Sequence, residues 1–215
     1  MITIDRAFKL NPNLNPELFL PDPRDVLRSL DKTPVKDWLE FISSEHVGRK
    51  AKILLFVPCT PKKPYDPPRD EFHEKLLELE KKYDAYLVSV SEPLALEPRE
   101  FWSFKWRGYN LIYDAPFFPW IEKYGYKWDQ EIANAVWEKL AKVAKKWYDR
   151  NKNLFSHTVA YATPKSNYRQ ILKYIDAIFV PDFEIEEDVS YEENTEKIYL
   201  NKKAWRELIR VLNTL

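Results

Sequence analysis

The period of the apolar residues changes several times along the chain, and each change marks an element. Val35, Trp38, Leu39 and Ile42 fall at i, i+3, i+4 and i+7, the stripe of an amphipathic helix over 35–46. The run Ile53-Leu54-Leu55-Phe56-Val57 has no polar break and ends at Pro58, which predicts a strand over 53–57 buried on both faces of a parallel sheet. After a proline-rich loop at 58–68, Asp70 opens a second helical pattern, carried by Phe72, Leu76, Leu77 and Leu79 as far as Lys82. A strand at 85–90 completes a βαβ unit. A strand at 109–113 and a long helix at 129–150 follow, the helix with Ile132, Val136, Leu140, Val143 and Trp147 on its apolar side. A strand at 155–161, a helix at 165–174, a strand at 177–180 and a terminal helix at 202–213 end the alternation. Such an order implies an α/β chain folded as a three-layer α/β/α sandwich around a short parallel sheet.

Residues 1–34 stand apart from this pattern. Pro12, Pro16, Pro21, Pro23 and Pro34 interrupt them, so a proline-rich N-terminal arm is expected, with a short helix at 22–30, ahead of a single α/β domain over 35–215. With 45% hydrophobic residues in 215, the chain has enough apolar mass for one packed core, which excludes intrinsic disorder. One Cys and three His exclude a disulfide framework and a cysteine-rich zinc site, and no cofactor is expected. The opening MITIDRAFKLNPNLNP has no apolar signal region, and no stretch approaches the roughly 18 apolar residues of a membrane span. The expectation is a cytoplasmic protein away from membranes, with the high charge and scarce Met and Cys of a heat-adapted composition.

Charge refines the list of partners. Lys+Arg and Asp+Glu balance at 34 each, which disfavours a chain that clamps nucleic acid by electrostatics alone. Two blocks depart from that balance: Asp182 to Glu196 holds eight acids and no base, and 139–152 holds six Lys/Arg and one Asp. Both read as solvated faces.

Ligands of open α/β sheets sit beyond the carboxyl ends of the strands, so the loop after 53–57 is the first place to look for chemistry. It reads Pro58-Cys59-Thr60-Pro61-Lys62-Lys63-Pro64-Tyr65, then Asp66-Pro67-Pro68-Arg69-Asp70-Glu71-Phe72-His73. Prolines fix its backbone and place a thiol, an ammonium, a phenol and an imidazole near one strand end. The same residues also read as packing for Cys59 and Tyr65, solvated cations for Lys62 and Lys63, and a helix N-cap for Asp70.

This loop resembles the Pro-Cys-x-x-x-Lys-Pro-Tyr motif of archaeosine synthase, a paralogue of archaeal tRNA-guanine transglycosylase, with Pro58, Cys59, Lys63, Pro64 and Tyr65 in matching positions. Ser91 to Glu100 and Tyr113-Asp114-Ala115-Pro116 resemble two later pieces of the same family, in the same order. The coarse similarity covers 35–175, and the chain looks like that family's middle domain without its transglycosylase barrel and RNA-binding PUA module. It departs from the pattern at Pro68, where the family has Ser, so that Asp70-x-x-His73 fits the Ser-x-x-His motif only after a two-residue shift. It departs again at Phe117-Phe118-Pro119-Trp120, where the family has a glycine-containing turn.

The resemblance implies a uracil-DNA glycosylase-like fold and a substrate, 7-cyano-7-deazaguanine in tRNA, whose nitrile is converted toward the amidine of archaeosine by an amine donor. On this reading Cys59, Lys63, Asp70 and His73 are the catalytic candidates. Tyr65, Ser91, Glu92, Glu97, Arg99, Tyr113 and Asp114 are the substrate-binding ones. A thiolate adds readily to a nitrile carbon, Lys63 would lower the Cys59 pKa or neutralise developing charge, and Asp70 or Glu92 would relay protons. Tyr65, Trp102, Trp106, Tyr113, Phe117 and Trp120 are candidates to stack a flat heterocycle, and Arg99 and Glu97 to pair with each other or with the ligand. His46 and His157 have no motif context. The implied partner is tRNA, reached through a separate protein carrying transglycosylase or PUA domains. The alternatives are a nucleobase- or RNA-binding module without chemistry and a DNA-base glycosylase. The last lacks support, because no Asp-Pro-Tyr water-activating loop or His-Pro-Ser loop is present and Phe155-Ser156-His157-Thr158 does not replace them.

Overall fold

The computed structural model describes residues 3–186, 190 and 192–215. Its sheet is organised around β1 (Ile53–Pro58), all six residues of which are buried, as an unbroken apolar run requires when both faces are covered. On one side β1 pairs in parallel with β2 (Ala85–Ser91), and β2 pairs antiparallel with a short edge strand, β3 (Ala95–Pro98). A two-stranded hairpin, β4 (Lys105–Trp106) and β5 (Tyr109–Asn110), stands outside this sheet. On its other side β1 pairs in parallel with β6 (His157–Tyr161), which in turn pairs with β7 (Ile178–Val180), giving the order β3-β2-β1-β6-β7.

The helices are α1 (Ile4–Leu10), α2 (Pro23–Ser29), α3 (Val35–Ser44), α4 (Glu71–Tyr83), α5 (Gln130–Asn151), α6 (Asn167–Ile171), α7 (Asn194–Tyr199) and α8 (Lys202–Leu212). Crossover handedness sorts them into layers. The β1-α4-β2 and β6-α6-β7 units step in opposite directions along the sheet, so right-handed crossovers put α4 and α6 on opposite faces. Helix α5 packs on α6 and also on α2 and α3, whereas α7 packs on α4 and α8. Two helical layers therefore enclose the sheet, as the alternation of periods predicts. The order also has a consequence for ligands: the chain leaves β1 toward β2 and later returns to β6, so the carboxyl ends of β1 and β6 flank a topological switch point, the usual crevice for a ligand.

Three expectations need correction. The segment read as an irregular arm holds α1, a 3-10 turn at Pro16–Leu18 and α2, and it buries Ala7, Leu14, Leu18, Leu20, Val26 and Leu30 in the common core. Pro16 and Pro23 sit at helix starts, where a missing N–H costs nothing. The strand expected at 109–113 is only β5. Beyond Asn110 the chain leaves the hairpin and is held by the N-terminal segment, with Asn15 N donating to Ile112 O at 2.9 Å and Asp114 N to Leu18 O at 3.0 Å. The acidic block, read as a solvated face, runs into α7 and includes the buried Thr195, while 187–189 and 191 lie outside the described residues. No helix among the described residues is long and apolar enough to cross a membrane.

The N-terminal segment also supports the 58–70 loop. Asn11, fully buried, donates from Nδ2 to Pro61 O at 2.9 Å and accepts from Lys63 N at 2.7 Å. Truncating it strands a buried carbonyl and a buried amide, each of which costs about 1–3 kcal/mol. Asn11→Ala is expected to lower unfolding stability by about 2–4 kcal/mol in urea titrations and to raise amide hydrogen exchange at Lys63 more than at Leu55.

Candidate functional site

Beyond Pro58 the chain turns across the switch point. Cys59 N still donates to Val90 O at 3.2 Å, which keeps the thiol beside the end of β2. The Lys63 side chain then folds back inward. Its Nζ donates to Thr60 O at 2.9 Å and lies 3.9 Å from the centre of the Tyr113 ring, and the residue is only 3% exposed. The bland expectation of a solvated Lys63 is thus wrong, whereas Lys62 reaches outward to Glu196 at 2.9 Å.

A second network fixes the loop from behind. Asp70 caps α4, with Oδ1 accepting from His73 N and from His73 Nδ1, both at 2.8 Å. Its Oδ2 accepts from the Thr60 hydroxyl at 2.7 Å. Burial alone would raise the Asp70 carboxyl, but the bonds from His73 and Thr60 outweigh it and hold it below the usual range. His73 is pushed down by burial against the pull of Asp70, and its ring stacks on Tyr65 at 3.8 Å between centroids. The Tyr65 hydroxyl lies 3.2 Å from both Thr60 N and Thr60 O. The unshifted N-cap reading of Asp70 holds, and Asp70, His73 and Tyr65 form a scaffold behind the loop rather than a wall of the crevice.

Two cavities meet at the switch point. The inner one, of about 20 Å3, has Cys59, Lys63, Glu92, Tyr113, Phe118 and Tyr168 among its walls. The outer one, of about 320 Å3, opens between residues 118–124, the start of α6 and α7, and shares Phe118, Tyr168 and Thr195 with the inner one. A larger cavity of about 560 Å3 lies between Glu17 and Val35 and touches none of the expected site residues. The Tyr168 hydroxyl lies 3.7 Å from Cys59 Sγ, and the Thr195 hydroxyl donates to Cys59 O at 3.0 Å.

Burial sets the charge states. The Cys59 thiol is pushed up to about 12 by burial, with Lys63 pulling the other way and Glu97 and Glu92 adding to the rise, so at neutral pH it holds its proton. Glu92 accepts from the Trp137 indole at 2.7 Å, yet burial still lifts its carboxyl to about 7. Glu97, 1% exposed, is raised by burial against the attraction of Lys63. Its Oε1 accepts from Ser91 at 2.6 Å and from the Tyr113 hydroxyl at 2.8 Å, and its Oε2 has no hydrogen-bond partner among the described residues.

The expected residues therefore separate into shells. Cys59, Lys63, Glu92 and Tyr113 line the inner cavity, and Ser91 and Glu97 stand directly behind Tyr113. Arg99 does not converge: it pairs with Asp66 at 2.9 Å and Glu80 at 3.3 Å and lies over Trp102, so it reaches neither Glu97 nor the cavity. Asp114 is buried, with its backbone holding Leu18 and Leu20. Of the aromatic candidates, Tyr113 and Trp120 line cavities, while Trp102, Trp106 and Phe117 are core packing. His46 is also a core residue, bonded to Glu100 and the Trp147 indole. Tyr168 and Thr195 escaped the sequence reading. The signal for Tyr168 was its place after the 155–161 strand, the second strand end at the crevice. No group of three or more His, Cys, Asp or Glu that would hold a metal occurs among the described residues.

No family model matches the chain, and no curated protein matches it either. Among solved structures it is similar to the crystal structure of AF0587, a protein of unknown function, at 19% identity and a TM-score of 0.38. That match covers 78% of this chain and 49% of the other, so the chain spans about half the length of that protein. A likeness this loose carries no argument about fold or function.

Glu92 supplies a test of the electrostatics. Its folded pKa is raised, so the folded state binds the proton more tightly than the unfolded chain. Stability from this group is complete below about 4.5 and is lost as pH rises to about 7. Glu92→Gln keeps an acceptor for Trp137 and removes the titration. The variant is expected to gain on the order of 3 kcal/mol relative to the parent between pH 4 and pH 8, read as the difference between their denaturation midpoints across that range.

Proposed function

We propose that this chain handles the nitrile-bearing base 7-cyano-7-deazaguanine during archaeosine formation in tRNA, with a separate transglycosylase or PUA protein supplying most of the RNA affinity. The observation that carries the reading is the meeting of Cys59 and Lys63, the two chemically active members of the Pro-Cys-x-x-x-Lys-Pro-Tyr resemblance, in one cavity at the β1/β6 crevice. The balanced net charge, with 34 residues of each sign, agrees with RNA affinity that comes from a partner.

In the chemistry this reading implies, Cys59 Sγ forms a bond to the nitrile carbon while its proton passes to the Glu92 carboxylate, the other acid in the cavity wall. One π bond of the nitrile breaks, and the nitrogen takes a proton to give a thioimidate. An amine then adds to the same carbon, the C–S bond breaks, and the thiol leaves with a proton, so an amidine forms with no oxidant or reductant. Because the resting thiol is neutral, its proton must leave in the same step as attack, and a carboxyl titrating at about 7 is matched to that work. Lys63, in the wall of the same cavity, would offset the negative charge on sulfur or nitrogen. The raised thiol also favours a second reading, a binding module that recognises the base without chemistry.

Mass spectrometry of tRNA from cells with and without the gene separates involvement in the pathway from no involvement: unprocessed nitrile base is expected to accumulate on deletion. In vitro, with the partner protein present, Cys59→Ala is expected to lose more than about 1,000-fold in turnover and about 1 kcal/mol in stability. Turnover of the parent is expected to rise as pH passes through about 7, as Glu92 ionises, and Glu92→Gln to remove that limb. Unchanged turnover in Cys59→Ala would refute the nucleophile. Binding of the base with no turnover in either protein would select the binding module.

A further inference from the structure

Tyr168 stands between the two cavities. It closes the inner one, its hydroxyl 3.7 Å from Cys59 Sγ, and it lines the outer one together with Phe118 and Thr195. At about 20 Å3 the inner cavity has room for about one water and for no ring. The outer cavity, at about 320 Å3, lies within the roughly 300–1,000 Å3 of small-molecule sites. A flat ligand aimed at the thiol must therefore lodge first in the outer chamber.

The lining of that chamber has two chemical ends. Aromatic faces line its wall: Phe118 and Trp120 stack at 5.1 Å with their planes 9° apart, and Tyr124 meets Trp120 edge-on at 5.8 Å. Lys123 and Lys165 stand exposed at its rim. Of the neighbouring carboxylates, Glu192 pairs with Arg6, Glu193 with Lys197 and Glu196 with Lys62, while Glu184, in the chamber wall, accepts from the Lys165 backbone N–H. Among the described residues no carboxylate lies within ion-pair distance of either rim ammonium. A stacking wall beside two ammonium groups suits a ligand that is planar at one end and anionic at the other.

We propose that the outer chamber seats one purine-type ribonucleotide, its ring toward Tyr168 and its phosphate on Lys123 and Lys165, and that the Tyr168 phenol is the partition that moves for the ring to reach Cys59. The proposal rests on the base-handling function above and adds what that function leaves open, which residues of this chain hold the ring and the phosphate. The ammonium groups supply a contact a free base cannot use, and that contact is weakened by salt.

The test is a titration of the full chain at low salt with three probes: 7-cyano-7-deazaguanine, its ribonucleoside 5′-monophosphate, and an RNA stem-loop carrying the same base. The monophosphate is expected to bind at least about tenfold more tightly than the free base, with the ratio falling toward one in 0.5 M salt and in the Lys123→Ala/Lys165→Ala double variant. Both lysines are exposed, so the variant tests recognition without disturbing the core. Equal affinity for free base and monophosphate, or a ratio that survives loss of both lysines, would overturn the chamber while leaving the base-handling function standing. Failure of all three probes would remove that function and the chamber with it. Binding of the monophosphate without the stem-loop would keep the chamber and assign it to a free nucleotide, and binding of both would assign it to RNA.

Discussion

A lysine ammonium withdrawn from water has to be compensated where it lies, and the compensation of Lys63 organises the carboxyl edge of this sheet. Its Nζ has a backbone carbonyl at 2.9 Å and an aromatic face at 3.9 Å, and a desolvated cation over a ring gains about 2 kcal/mol. The ring belongs to Tyr113, whose hydroxyl is tied to Glu97 on β3. The segment carrying Tyr113 is held in turn by the N-terminal residues, and Asn11 of that same N-terminal segment fixes the Lys63 backbone. One buried cation thus links four stretches of chain that are far apart in sequence, which explains why an edge strand, a non-sheet segment and a proline-rich amino terminus all belong to one site.

The loop between β1 and α4 is rigid for a second reason. Thr60, Tyr65, Asp70 and His73 are joined by hydrogen bonds in one network, and in a low-dielectric interior each bond strengthens its neighbours. The network meets the cavity at Thr60, which lines it. Its work is to keep Cys59 and Lys63 facing inward, toward a far wall of Phe118, Tyr168 and Thr195, of which Tyr168 and Thr195 bond back to Cys59 O.

Much of the sheet was legible because burial on two faces leaves an unmistakable run. Ile53 to Val57 announces β1, Asp70 announces the start of α4 by its capping chemistry, and the apolar stripe of 129–150 announces α5 to within a residue at each end. The amino terminus was not legible, since short helices begun by proline carry too few turns to show a period. Nor was β3, four residues of edge strand with a buried glutamate bonded to Tyr113. Within the motif, spacing identified Cys59 and Lys63 but not their depth. Arg99, close to Glu97 in sequence, faces outward, because Glu80 and Asp66 offer it water-accessible partners at far lower desolvation cost than the interior.

The same interior that buries Lys63 decides what its neighbours can do at rest. Withdrawal from water lifts the Cys59 thiol, Glu92 and Glu97 together, and the single cation opposes the rise for Cys59 and Glu97. In the closed cavity of one water's size the thiol, at about 12, keeps its proton and is a poor nucleophile. The two properties have one cause. Any rearrangement of Tyr168 that makes room for a ring also changes the solvation of Cys59 and Glu92, so entry of a ligand and the readiness of these groups to exchange a proton are coupled by the geometry of the crevice rather than by a separate switch.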